Sequence, residues 1–452
     1  YGKIHDLDSA FYFFRRAQVN KQTKQAAETN FVALATQEFL PLYADSVALE
    51  FDATSIPVQA NLLALSALTK TKYSGGALPD TASDLTLYTA TLVNNYLIQK
   101  AYQLNDGNLI AAEKIIRDSD NVAFSETLLA SLAHACYAQG RVNKALQIMS
   151  ELSYISARNQ GKYNFIIGLW LLEQGNASGA AVAFRFAKNY GYENSNYYIA
   201  LAETEAREVK EALTMWDSVA RSGDENQKRI AETMRVQLAD KNLFDNTDSE
   251  KYQYLRYRIG LADTTAYTTL AATINDANVK AKSFLDLAIR FSDLGNRRSA
   301  LLYAKEALQL ATNLGIQEDA KMFYLLCLAE IGDLDLLAVK LNDQVFPIKY
   351  KLHKMYFEAL LNEAAGTKSI AIKNFAYLAS ANVYFEEGVI ASAEWHQVVN
   401  KNDFKAYEIL AEAIQTNKSS VKLWRAYYQI CRKLEYDAYA ETAAREISRL
   451  TK

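Results

Sequence analysis

The residues best suited to bind a metal or to act as nucleophile and base are few and scattered. There are four histidines, His5, His134, His353 and His396, and three cysteines, Cys136, Cys327 and Cys431. No two histidines stand at a compact ligand spacing beside cysteines or carboxylates, as a zinc or other transition-metal site requires. The cysteines are odd in number and far apart, so they read as buried thiols and not as a disulfide framework or a metal cluster. Glu203 with Glu205, and Glu386 with Glu387, are close pairs of carboxylates. Side chains one or two positions apart on a helix diverge, so neither pair is placed to act as the acid and nucleophile of a glycosidase. Tyr73-Ser-Gly-Gly lacks the lysine and following hydroxyl of a phosphate-cradling loop and reads as a turn, and Ser74 has no nucleophile motif around it. These patterns predict no catalytic residue, no cofactor and no metal.

Composition points the same way. The 49 basic and 52 acidic residues of this 452-residue chain nearly cancel and are interspersed. That offers no charge excess for a phosphate backbone or an anionic membrane, and predicts no nucleic-acid partner. The longest apolar runs, such as Leu62 to Leu68, are far too short to cross a bilayer as a helix. Tyr1 is not an initiating methionine and no basic-then-apolar leader follows it, so the start reads as a processed or trimmed boundary. Few cysteines suit a reducing cytosol and equally an oxidising envelope compartment. With only four prolines, long stretches can be helical without an obligatory kink.

A chain of this length forms either several domains or an array whose core grows along one axis. The spacing of glycine and alanine favours the array. Gly107, Gly140 and Gly175 are 33 and 35 residues apart, and Ala112, Ala145 and Ala180 each follow by five. Around each glycine, an apolar-periodic stretch precedes the turn and another follows it, as in Ala130 to Met149. The next unit supplies Gly168, Gly175, Ala180, Phe184 and Ala187, and a further one Ala200, Ala212 and Trp216, with Arg207 in the place of the turn glycine. The phase returns at Ala288, Gly295, Ala300 and Ala307, and at Leu325, Gly332 and Leu337. The 37 residues between those two glycines predict extra residues in a helix or loop. Glu435 with Ala440 and Gly388 with Ala393 read as degenerate units, and Gly366 with Ala371 offers a competing register, which leaves the boundaries between 350 and 399 open.

This pattern resembles the tetratricopeptide repeat (TPR) family, most closely over Leu97 to Gly223. The resemblance implies an all-α chain, an α-α superhelix (TPR-like solenoid) of right hand built from antiparallel helical hairpins. It implies a non-catalytic scaffold that presents a concave surface to a protein or peptide segment, and no cofactor. In the family register, the inner-face row comprises His134 and Tyr137, then Lys162, Phe165, Leu169 and Glu173, then Asn194, Tyr197, Leu201 and Glu205. The candidate protein-binding residues are therefore His134, Tyr137, Lys162, Phe165, Glu173, Asn194, Tyr197 and Glu205. Phe165 and Tyr197 would supply apolar contacts, with Lys162 and Asn194 fixing an acidic or backbone group. The opposing charges of Glu173 and Glu205 argue against a carboxylate clamp. A structural spacer in a larger complex is the competing role, with Phe165 and Leu169 filling space between units, and an α-solenoid enzyme is a less favoured alternative.

The organisation read from these signals is an irregular helical stretch over 1–96, a regular array over 97–240, a linker or interrepeat loop over 241–250, and a second array over 251–452. The 72 residues from Gly223 to Gly295 correspond to about two further hairpins, interrupted by the polar stretch Lys241 to Ser249. The Asn- and Tyr-rich style of the irregular array also resembles envelope-associated TPR proteins of Bacteroidota, including scaffolds of gliding and protein-secretion machinery. That implies a bacterial envelope or periplasmic setting, with a cytoplasmic adaptor equally compatible.

Overall fold

The computed structural model describes residues 13–17, 19–24, 26–28, 30–31, 113–114, 116–117, 122–193, 195–239, 247–342, 346 and 350–451. Every regular element among them is a helix. The chain divides into two units, Tyr1–Ala157 and Arg158–Lys452. The first contains the hairpin of α1 (Val122–Ala138) and α2 (Val142–Ile155). Here Arg117 holds both carboxylate oxygens of Glu151 at 2.7 Å, and its Nε donates to Glu113 at 2.9 Å. Gly107 and Ala112 lie outside the described residues.

The second unit is a succession of helix pairs. It opens with α3 (Gln160–Glu173) and α4 (Ala177–Asn189), α5 (Ser195–Glu205) and α6 (Val209–Ser222), a single helix α7 (Glu225–Ala239), then α8 (Asp248–Arg258) and α9 (Thr264–Ala272). Next come α10 (Ala277–Asp293) with α11 (Arg297–Leu310), and α12 (Leu314–Ile331) with α13 (Leu334–Asn342). It ends with α14 (Lys351–Ala364) and α15 (Lys368–Ala381), α16 (Glu386–Val398) and α17 (Asp403–Thr416), and α18 (Val421–Lys433) and α19 (Asp437–Leu450). Most pairs pack along their length and onto the next, giving an all-α, TPR-like solenoid of antiparallel hairpins.

One backbone motif makes most of the reversals. At the end of α3, Gly175 N–H donates to the Leu172 carbonyl (3.0 Å) and Asn176 N–H to the Leu171 carbonyl (2.8 Å). These bonds satisfy carbonyls that the helix end leaves open, and they require a left-handed residue at Gly175. The same pair of bonds recurs at Gly140, Arg207, Gly295, Gly332, Gly366 and Glu435, all with φ between 60 and 82°. Five positions after each comes a residue with almost no exposure: Ala145, Ala180, Ala212, Ala300, Leu337, Ala371 and Ala440. Asn176 also starts α4, its Oδ1 accepting from Gly179 N–H at 3.0 Å, so one residue both closes one helix and caps the next.

The structure settles the competing register in favour of Gly366 with Ala371. Gly388 lies in the first turn of α16 and not at a reversal. Its hydrogen faces Phe385 and Leu378, and a Cβ there would sit 2.7 Å from the Phe385 ring. The extra residues between Gly295 and Gly332 lengthen α12 to 18 residues. Residues 241–246 of the expected linker lie outside the described residues. From Thr247 onward the polar stretch is a helix start, with Thr247 Oγ1 accepting from Glu250 N–H and the Glu250 carboxylate from Thr247 N–H.

Between α6 and α10 the alternation of pairs is broken. The C-terminal ends of α5, α7 and α8 come together: Glu205 accepts from Arg256 (2.7 Å) and Tyr257 (3.0 Å), and Arg258 donates to the Leu238 carbonyl (2.7 Å). Buried Arg290 of α10 closes the end of α8, donating to the carbonyls of Ile259 (2.6 Å), Gly260 and Leu255 (both 3.1 Å), with its guanidinium 4.5 Å from the centre of the Tyr267 ring.

Candidate protein-binding surface

The first helices α3 and α5 carry most of the expected inner row, and the structure separates its members. Phe165 is only 8% exposed. Its ring lies 4.6 Å from Tyr192, 4.7 Å from Tyr198 and 5.3 Å from Phe184, so it joins α3, α4 and α5 inside the array. Glu205 holds α8 through Arg256 and Tyr257. Lys162 is half-buried on α3, while Leu169 and Glu173 face solvent. His134 and Tyr137 are half-buried on α1, in the first unit. Asn194 lies outside the described residues.

Tyr197 has a different environment. Its half-buried ring meets Tyr198 and Trp216 edge-on, at 5.4 and 5.6 Å. Trp216 is fully buried and its indole N–H donates to Thr204 Oγ1 at 2.9 Å, so the ring behind Tyr197 is itself fixed. Burial holds the Tyr197 phenol above its ordinary pKa and keeps it a neutral donor and acceptor. In front of it opens a cleft of about 200 Å³, between the connection of α4 to α5 and that of α6 to α7. Tyr192, Ser195, Asn196, Gly223 and Gln227 line it with Tyr197, and Lys188 and Glu193 stand at its edge with opposite charge. Asn196 lines the cleft with its Oδ1 buried and without a hydrogen-bond partner in the structure.

Lys162, Phe165, Glu173 and Glu205 do not line this cleft. Sequence reasoning missed Asn196 and Gln227. Asn196 is adjacent to Tyr197 in sequence, but its role depends on Gly223 and Gln227 being brought opposite by the next hairpin.

A second polar constellation was also missed. Lys422, in the first turn of α18, reaches Glu330 at the end of α12 and Glu387 at the start of α16, both at 2.8 Å. Ser292 donates to Glu330 at 3.0 Å, and Arg425 donates to the Asp293 carbonyl. Burial raises the Asp293 carboxyl to about 6 and raises Glu386 as well. Burial opposes ionisation of Glu387, but the charge and hydrogen bond of Lys422, with a backbone hydrogen bond, together hold its carboxyl below the usual carboxylate range. Glu386 and Glu387 thus differ by environment although they are neighbours in sequence. Among the described residues no group of three or more His, Cys, Asp or Glu side chains is placed to hold a metal ion, and no helix is long and apolar enough to cross a membrane.

No family model matches the chain, and no curated protein matches it. Among solved structures it is similar to the P58(IPK) TPR domain, at 16% identity over 72% of this chain and 93% of that one, with a TM-score of 0.24. It is similar to a chain in the structure of Naa15/Naa10 bound to HypK-THB, at 13% identity over 98% and 79%, with a TM-score of 0.29. A circular tandem repeat protein matches at 11% identity over 98% and 97%, with a TM-score of 0.15. At such scores the hairpin assignment stands on the turns and cores described above, and nothing in these matches bears on an envelope or secretion setting.

Proposed function

We propose that this chain is a non-catalytic scaffold that binds a protein segment at the surface centred on Tyr197. The observation that carries this reading is the cleft itself. A rigid aromatic ring backed by buried Trp216 stands beside the amide side chains of Asn196 and Gln227. An anchored aromatic supplies contact area at low entropic cost, and amide side chains beside it can pair with the backbone of an extended chain and set its register. The flanking charges of Lys188 and Glu193 oppose one another, which suits short-range recognition more than long-range capture. Lys162, Glu173 and Asn194 are further proposed contact residues from the repeat register, and His134 and Tyr137 of the first unit are proposed separately on the same ground. The roles of Phe165 and Glu205 as internal ties favour the second reading, a structural spacer, for that part of the row.

The test is affinity recovery of a partner from native extract with crosslinking, followed by hydrogen exchange of the purified pair. Protection is expected at Tyr192–Tyr197 and Gly223–Gln227. Asn196→Ala and Tyr197→Ala should each weaken binding, with helicity unchanged. Protection confined to other surfaces, or full affinity in both folded variants, would overturn the reading. Setting is a separate proposal, either an envelope assembly or a cytoplasmic one, and localising the tagged protein decides it.

A further inference from the structure

In a solenoid each hairpin is stabilised by its neighbours, and contacts between distant hairpins are not needed for the fold. The second unit makes such contacts at two places. Arg425 and Lys422 of α18 reach α10 and α12, several hairpins earlier. Further along, the turn of the α3/α4 hairpin meets the connection between α15 and α16, across 208 residues of sequence. Asn382 Nδ2 donates to Gln174 Oε1 at 2.9 Å, and Asn176 Nδ2 donates to the Tyr384 hydroxyl at 3.4 Å.

These amides are prepared for the contact by their own turns. Asn176 Oδ1 is occupied by Gly179 N–H, and Asn382 Oδ1 accepts from Tyr384 N–H at 3.0 Å. Each asparagine is therefore fixed at its oxygen and turns its NH2 group to the far loop. The two closures differ in kind. Lys422 and its carboxylates are only 14–15% exposed, and separating them would leave charge uncompensated away from water. The turn-to-turn bonds carry no charge; Asn382 is buried while they hold, but Gln174, Asn176 and Tyr384 are half-buried, and parting the turns lets water take over neutral bonds at small cost.

We infer that the Gln174/Asn176–Asn382/Tyr384 contact is a clasp: a conformational device that holds the array of the second unit closed and releases it without unfolding any hairpin. Opening parts the two turns while the apolar cores between neighbouring hairpins and the Lys422 bridge stay intact. This goes beyond the binding role proposed for the Tyr197 cleft and does not depend on it, because its test needs no partner.

Spin labels on Ser178→Cys and Lys373→Cys, both exposed positions, report the separation of the two sides by double electron–electron resonance. The native thiols Cys136, Cys327 and Cys431 are buried, which leaves the introduced pair as the reactive ones. The labelled protein should show a dominant short distance. Adding Gln174→Ala and Asn382→Ala removes one of the two inter-turn bonds and should increase a longer-distance population about 2- to 10-fold relative to the closed one, with helicity unchanged. Tyr384→Phe removes a single oxygen and keeps the ring, and should give about a 2- to 10-fold increase. It carries the test alone if the double variant loses helicity. Distance distributions identical to the parent in the folded variants would overturn the proposal.

Discussion

Gly168→Ala sets two terms of opposite sign against each other. Gly168 lies inside α3, where alanine is favoured over glycine by about 1 kcal/mol of helix propensity. A Cβ at this position would lie 2.5, 2.6 and 2.8 Å from Cε1, Cδ1 and Cζ of Phe184. The Phe184 ring is fully buried, with Phe165 at 5.3 Å and Tyr198 at 5.4 Å, so it has no free space to enter. Inserting a methyl group into such packing costs about 1–3 kcal/mol, and pushing a ring about 30° off its rotamer adds roughly 0.5–1.5 kcal/mol. The net expectation is a loss of about 1–3 kcal/mol. Urea unfolding with reversibility checked gives the global value. Hydrogen exchange over α3 to α5 gives the local one, which matters because a repeat array need not unfold in one step. Phe184→Leu in the Gly168→Ala background should recover part of the loss by making room. A Gly168→Ala protein as stable as the parent, or no recovery with Phe184→Leu, would refute the steric reasoning.

Other outcomes follow from the same packing and charge arrangement. Ala180→Phe adds volume beside Phe165 and Phe184 at a fully buried position and should cost about 1–3 kcal/mol, whereas solvent-facing Glu173→Gln should lie within about 0.5 kcal/mol of the parent in equilibrium unfolding. Lys422→Met leaves Glu330 and Glu387 without their cation and should cost about 3–5 kcal/mol, with part restored by Glu387→Gln in a double-mutant cycle; additive effects would argue against the bridge. Burial raises Asp293 from its ordinary range to about 6, so its contribution to stability is complete below about pH 4 and is lost as pH rises through about 6. Asp293→Asn should therefore gain on the parent by about 2 kcal/mol between pH 4 and 7 in urea unfolding, and a difference independent of pH would refute the assignment.

The sequence by itself determined the local architecture of this chain. A helix reversal with a left-handed residue and a small side chain five positions later is a short-range requirement, so Gly140 with Ala145, Gly175 with Ala180 and Gly295 with Ala300 could be read in order. Even the positions without glycine, Arg207 and Glu435, were placed by the phase of their neighbours, and both adopt the left-handed conformation at φ 63° and 60°. What only the tertiary structure decided is which face each side chain meets. Phe165 and Tyr197 look equivalent in the repeat register. Phe165 lies among three aromatic rings from α4, α5 and the connection between them, while Tyr197 lines a cleft whose far wall comes from Gly223 and Gln227. The choice between Gly366 and Gly388 rested on packing against Phe385, and the fate of Glu205 on Arg256, 51 residues away. The joining of Lys422 to Glu330 and of Asn382 to Gln174 depends on small rotations accumulated from hairpin to hairpin. No short-range pattern encodes that sum, because each local step is compatible with many curvatures and only the packed array fixes which distant turns meet.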